Sequence, residues 1–213
     1  MNSVKPGLFI TVEGVEGAGK STQLSLILKK LESAGIEIIS TREPGGTPFA
    51  ESVRELLLEN RDEKVDQITE MLLMFAARSQ HLSQLIKPAI AEGKWVVCDR
   101  FTDATYAYQG GGRNLGFELV SQLEQLVQGD FRPDKTFYLD LSVEQGMQRV
   151  VARGEKDRFE REELDFFEKV RSAYLRLVES NPTRYVVIDA SQSLESVQKD
   201  LSLALDKLIS SHV

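Results

Sequence analysis

Residues 14–21 read Gly14-Val15-Glu16-Gly17-Ala18-Gly19-Lys20-Ser21, an instance of G-x-x-x-x-G-K-[ST]. No other feature of the chain restricts its fold so strongly. Such a loop works between a buried strand and a helix N-terminus, where inward-turned backbone N–H groups meet a phosphate. Both flanks are present. The apolar run Leu8-Phe9-Ile10-Thr11-Val12 precedes the loop, and Leu24, Ile27, Leu28 and Leu31 follow it at i, i+3, i+4 and i+7, with Gly35 as the stop. Lys20 is then placed to neutralise β- and γ-phosphates, and the Ser21 hydroxyl to hold Mg²⁺. A chain of this kind binds a nucleoside triphosphate.

Four more short runs repeat the strand character of the first. They are Glu37–Thr41, Trp95–Cys98, Thr136–Asp140 and Tyr185–Ile188, rich in β-branched or aromatic residues and without clean alternation, as in strands buried on both faces. Helical stripes lie between or after them: Ile68, Met71, Leu72 and Phe75, closed by Pro88 and Gly93; Val170, Tyr174, Leu177 and Val178; and Leu194, Val197, Leu201 and Leu208. Strands alternating with helices predict an α/β fold, a five-stranded parallel sheet wrapped by helices on both sides. With no repeat and no low-complexity tract, the 213 residues are read as a single domain.

Composition narrows the partners. The 26 Lys+Arg against 33 Asp+Glu leave a net charge of −7, which argues against a nucleic-acid polymer as partner. Hydrophobic residues at 41% are too many for a disordered chain. One cysteine excludes a disulfide framework or a multi-cysteine metal site. No run approaches a membrane span and no leader is visible, so a cytoplasmic location without membrane attachment is expected.

A P-loop serves kinases and hydrolytic switches alike. The guanine-switch strings N-K-x-D and D-x-x-G are absent, and the third strand ends in Asp99-Arg100. In an open α/β sheet that edge is where ligands bind. Asp99 can hold Mg²⁺ or its water, and Arg100 can clamp a phosphate bidentately. The basic run Arg149, Arg153, Lys156, Arg158 and Arg161 supplies cations that the variable positions of the loop lack, and predicts a basic lid over about 147–162.

The strings Phe9–Lys20, Thr41-Arg42-Glu43-Pro44-Gly45-Gly46-Thr47, Asp99-Arg100-Phe101 and Ala107-Tyr108-Gln109-Gly110-Gly111-Gly112-Arg113 together resemble those of the bacterial thymidylate kinases, within the P-loop nucleoside monophosphate kinases. The resemblance implies transfer of the ATP γ-phosphoryl to dTMP, giving dTDP and ADP with Mg²⁺, a step toward dTTP, in a homodimer. By position it implies that the loop and Lys20 hold ATP and that Glu16 faces the deoxyribose 3′-hydroxyl. It puts Arg100 on the dTMP phosphate, Arg42, Glu43 and Arg54 around the same site, Arg78 on thymine O4 and Thr105 on N3. Tyr108 would crowd the 2′ position, Gln109 would lie near the base, and Arg153 would be the lid arginine. Where the family often has Ser, this chain has Ala104. Where it often has an aromatic, this chain has Met74, with Phe75 next to it; either reaches the thymine from that helix face, and Phe75 is the expected cover. His81, Cys98 and Trp95 are read as structural.

Overall fold

The structure, a computed structural model, describes residues 5–153, 158–160 and 162–212, without the side chain of Arg153. Its sheet is five-stranded and wholly parallel, in the order β2-β3-β1-β4-β5, from β1 (Phe9–Gly14), β2 (Ile38–Arg42), β3 (Trp95–Asp99), β4 (Lys135–Asp140) and β5 (Tyr185–Asp189). All five expected runs are strands, each within two residues of its expected ends.

Successive side chains of a strand face opposite sides of the sheet. Ile10, Val12 and Val97 enter the larger core with Ile27 and Leu31 of α1 (Lys20–Ser33) and with Val197, Leu201 and Leu205 of the last helix, Leu194–His212. Phe9, Val96 and Cys98 face the other way, onto Leu82, Ile86 and Ala89. Both faces are therefore dry, which explains why the strands read as continuous apolar runs.

Between β2 and β3 lie α2 (Pro48–Leu58), α3 (Gln67–His81), a π-helical turn Leu82–Ile86 and α4 (Lys87–Ala91). Asp66 caps α3, its Oδ1 accepting from the backbone N–H of Ile68 at 2.9 Å. The stripe predicted on α3 is only half buried. Met71 and Phe75 are inside, whereas Ile68 and Leu72 stand 39% and 49% exposed. After β3 the short α5 (Thr102–Thr105) runs into a second π-helical turn, Tyr106–Gly112, and then α6 (Phe117–Gln128). α7 (Val143–Arg153) and α8 (Leu164–Ser180) lie between β4 and β5, and α9 (Leu194–His212) follows β5. α8 packs along the second π turn.

This order places the carboxyl ends of β1, β3 and β2 side by side, with Val12 and Arg42 both in register with Asp99. β1 connects outward to β2 across β3, and β3 crosses back over β1 to β4. The crevice at that reversal of winding is where such sheets take ligands.

Candidate active site

The P-loop joins β1 directly to α1. Gly19 sits at φ 88 as the N-cap of α1, and no side chain caps the helix, so its first N–H groups face the cleft. Gly17, at φ 74, passes so close to α7 that a Cβ there would lie 2.2 Å from the Gly146 carbonyl oxygen. The converse also holds: a Cβ on Gly146 would lie 2.4 Å from the Glu16 carbonyl oxygen. The loop is thus seated on α7 through two glycines. Gly146→Ala is expected to push the loop out of place, lowering Tm by several degrees (overpacking of about 1–3 kcal/mol, at roughly 2–4 °C per kcal/mol for this size) and raising KM for the nucleotide. Thermal melting and steady-state kinetics check both.

An open cleft of about 470 Å³ lies over the loop. Its lining includes Glu16, Gly17, Gly19, Lys20 and Ser21 on one side and Arg78, Ala104, Thr105, Tyr108 and Gln109 on the other, with Asp99 and Arg100 between. Val15 and Ala18 face the core instead, and with Gly14 they contribute backbone rather than lining. Lys20 Nζ donates to the Gly14 and Val15 carbonyls, each at 3.1 Å. Burial, and then the like charge of Arg100, push this ammonium below its ordinary pKa.

Arg100 is the hub. Its backbone is left-handed at φ 65, a setting that costs a residue with a side chain about 1–2 kcal/mol. The turn directs the guanidinium back over the loop. Nη1 donates to the Gly14 carbonyl at 3.0 Å and to Tyr174 Oη at 3.2 Å; Nη2 meets Glu16 Oε1 at 2.7 Å; and the group lies 4.8 Å above the Tyr108 ring centre. Tyr108 Oη donates to the same Glu16 oxygen at 2.8 Å. Beneath them Glu13 is fully buried, accepting from Phe101 N–H and from Tyr174 Oη, each at 2.7 Å. Burial, and then the neighbouring charge of Asp103, push the Glu13 carboxyl up to about 8.

The far side is a rigid polar wall. Arg78 Nε donates to Glu43 Oε2 at 2.7 Å and Nη2 to Thr105 Oγ1 at 3.0 Å, while the guanidinium lies 4.8 Å from the Phe75 ring centre and 5.2 Å from that of Phe101. Arg78 Nη1 is buried without a hydrogen-bond partner among the described residues, a donor awaiting an acceptor. His81 is structural: Nδ1 lies 3.0 Å from Glu43 Oε1, and Nε2 shares a 2.7 Å hydrogen bond with Thr41 Oγ1. Gln109 Nε2 donates to Glu70 Oε1 at 2.8 Å.

Two of the expected residues stand outside the cleft lining. Phe75 does not line the cleft; Met74 does. Adjacent helical residues differ in direction by about 100°, and Phe75 turns inward onto Met71 and Val120, touching the site only beneath Arg78. Arg42 does not line it either. It ends the edge strand β2, and its Nη2 pairs at 2.8 Å with Oε2 of Glu51 in the first turn of α2, while Glu51 Oε1 accepts from Gly46 N–H. Arg54 does reach the cleft, with Nη1 on the Pro44 carbonyl at 3.0 Å. Glu43 lines it too, with its carboxylate already engaged by Arg78 and His81.

Of the expected basic run, Arg149 lines the cleft and donates to the Gly17 carbonyl at 3.3 Å. Arg158 turns away, toward Glu70 Oε2 at 2.8 Å and the Leu57 carbonyl at 2.7 Å. Lys156, Arg161 and the side chain of Arg153 lie outside the described residues. Glu13, Glu70 and Tyr174 escaped the sequence reading as site residues. Glu70 lies on the side of α3 away from the stripe of Ile68, Met71, Leu72 and Phe75, so the periodicity carried no signal for it.

For a divalent cation, Asp99 offers a fitting feature: its Oδ1 is buried without a hydrogen-bond partner among the described residues, and Asp99 and Ser21 line the same cleft. Among the described residues no group of three or more His, Cys, Asp or Glu side chains gathers as a metal cage. That donor set suits Mg²⁺, which takes one or two protein oxygens and completes its shell from phosphates and water.

Comparison with known proteins gives the chain's relatives. The family model for thymidylate kinase matches residues 12–201. A thymidylate kinase of Pseudomonas putida is 57% identical over 203 residues, 95% of this chain and 97% of its own length. That of Teredinibacter turnerae is 55% identical over 203 residues, 95% and 99% of the two chains.

Proposed function

The chain belongs to the thymidylate kinase family, and we propose on that premise how its cleft phosphorylates dTMP to dTDP: with ATP as donor, Mg²⁺ as cofactor and the residues assigned below. The convergence of two unlike recognition surfaces on one cleft carries the reading. A phosphate-binding loop faces a wall of fixed hydrogen-bonding groups, and Arg100 stands between them.

ATP lays its triphosphate along the N–H groups of the loop, with Lys20 on the β/γ-phosphates. Ser21 and Asp99 would hold Mg²⁺, which would neutralise charge on the phosphates. The thymine enters between Met74 and the polar wall. Its O4 meets the unpartnered donor of Arg78, while N3–H finds Thr105 or Gln109. An exocyclic amino group at the O4 position would set donor against donor, so cytosine is disfavoured. Tyr108, fixed on Glu16, closes the space at the 2′ position. The dTMP phosphate comes to Arg100, already anionic at neutral pH, so its oxygen attacks the γ-phosphorus without a general base. Positioning and charge neutralisation do the catalysis. Glu16 offers its carboxylate to the 3′-hydroxyl, Arg54 borders the acceptor phosphate, and Arg149 brings positive charge to the loop, a part that the resemblance also gives to Arg153.

The reading extends to a single kinase domain, cytoplasmic and homodimeric. The buried free thiol of Cys98 suits a reducing compartment. Phe49 and Leu56 on α2, and Ile68 and Leu72 on α3, are exposed apolar side chains of the kind that copies cover. No described helix is long and apolar enough to cross a membrane.

A coupled ADP-release assay with ATP and Mg²⁺ tests the reading against dTMP, dUMP, UMP and no acceptor. Strong turnover with dTMP and at least about tenfold lower kcat/KM with UMP are expected. ADP release that is equal with and without an acceptor would make the chain an NTPase and remove the acceptor site.

A further inference from the structure

We infer that Glu13 and Tyr174 are positioning residues for the acceptor arginine: together they fix both the backbone and the guanidinium of Arg100. The inference rests on the reading of Arg100 as the group that grips the dTMP phosphate.

Arg100 occupies a left-handed conformation that its own side chain does not favour. A neighbour must hold it there. The next N–H, that of Phe101, is turned back toward β1 and donates to Glu13 Oε1 at 2.7 Å. The other oxygen of the same carboxyl, Oε2, receives the Tyr174 hydroxyl at 2.7 Å. That hydroxyl in turn accepts Nη1 of Arg100 at 3.2 Å. One carboxyl thus bridges the two ends of the residue, its peptide directly and its guanidinium through Tyr174. Glu13 and Tyr174 are both wholly buried, and neither lines the cleft. They act through Arg100 and touch no substrate.

The bridge does not depend on the charge of Glu13. When the carboxyl is ionised, Tyr174 donates to it; when neutral, its O–H donates to Tyr174 Oη, and Phe101 N–H keeps its acceptor in either state. A carboxyl whose pKa stands near neutrality can therefore serve throughout the working range. The ring of Tyr174 has a packing role as well, against Tyr138 at 5.2 Å between centres. Tyr174→Phe preserves that ring and removes only the hydroxyl.

Steady-state kinetics of Tyr174→Phe, Arg100→Ala and the double variant test the inference. Tyr174→Phe is expected to raise KM for dTMP about five- to twentyfold, with KM for ATP unchanged within about twofold. In the Arg100→Ala background the same substitution should have no further effect on dTMP kinetics, because its route of action is gone. Glu13→Gln keeps one acceptor for Phe101 N–H and a donor for Tyr174 Oη, so it should stay within about threefold of the parent, whereas Glu13→Ala should reproduce or exceed the Tyr174→Phe defect. An equal Tyr174→Phe effect in both backgrounds, or a rise in both KM values alike, would overturn the positioning role while leaving Arg100 in place. A negligible Arg100→Ala effect would instead remove the reading on which it rests.

Discussion

Arg100→Ala is expected to lower kcat/KM for dTMP by at least two orders of magnitude, or about 3 kcal/mol of transition-state stabilisation. The size follows from what the guanidinium does in the cleft. It is a cation seated on the Gly14 carbonyl and the Glu16 carboxylate, at the meeting point of the loop and the base wall. Removing it takes away the positive charge that an acceptor phosphate needs. It also takes the guanidinium from the Glu16 carboxylate, so an incoming dianion meets negative charge that Arg100 no longer offsets. Aim is lost as well, since a forked guanidinium fixes a phosphate in two dimensions and a point charge does not. Arg100→Lys should therefore recover only part of the loss. KM for ATP should change far less than the dTMP parameters. Near-normal turnover by Arg100→Ala, with dTMP varied at saturating ATP, would overturn its role.

Much of this molecule is legible locally, and the parts that are not share a cause. The five strands and the P-loop follow from short-range patterns: apolar runs bounded by turns, and glycines spaced for inward N–H groups. Their placement in one parallel sheet follows from alternation with helices. What remained hidden depends on which neighbour covers a face. The stripe of α3 has the right period, yet Ile68 and Leu72 stay partly exposed among the described residues, because periodicity defines a face and not the extent of its burial. Met74 and Phe75 are adjacent on that helix, and only the packing of Phe75 on Val120 of α6 decides which of them meets the cleft. The π turns Leu82–Ile86 and Tyr106–Gly112 widen a helix without breaking its apolar period, so the segment from Ile68 to Ala91 reads as one helix when it is two joined by a π turn. Arg42 follows the same logic. Its motif is intact, but an exposed edge strand lets it turn to Glu51. Tyr174 lies in an apolar stripe and reads as core, which its ring is; the hydroxyl at its tip is what reaches the site.

Lys20→Ala is expected to reduce phosphoryl transfer by at least about a thousandfold, roughly 4 kcal/mol, while leaving the fold in place. Transfer spreads negative charge over the γ-phosphoryl oxygens, and a cation already fixed at that point stabilises the transition state without reorganising. Lys20 is prepared for that task. Its ammonium lies folded over the loop on two carbonyls at 3.1 Å, and burial together with Arg100 disfavours its charge until an anion arrives. The fold should survive because Lys20 opens α1, where alanine is a good helix former. Tm is therefore expected to stay within a few degrees of the parent. Binding of dTMP alone, measured by calorimetry, should also persist, since none of the wall formed by Arg78, Thr105 and Gln109 involves the loop lysine. This combination separates the two halves of the cleft: a variant that binds acceptor but cannot phosphorylate it locates the loss at the donor phosphates. Retained transfer in Lys20→Ala would mean that the loop holds something other than the donor triphosphate.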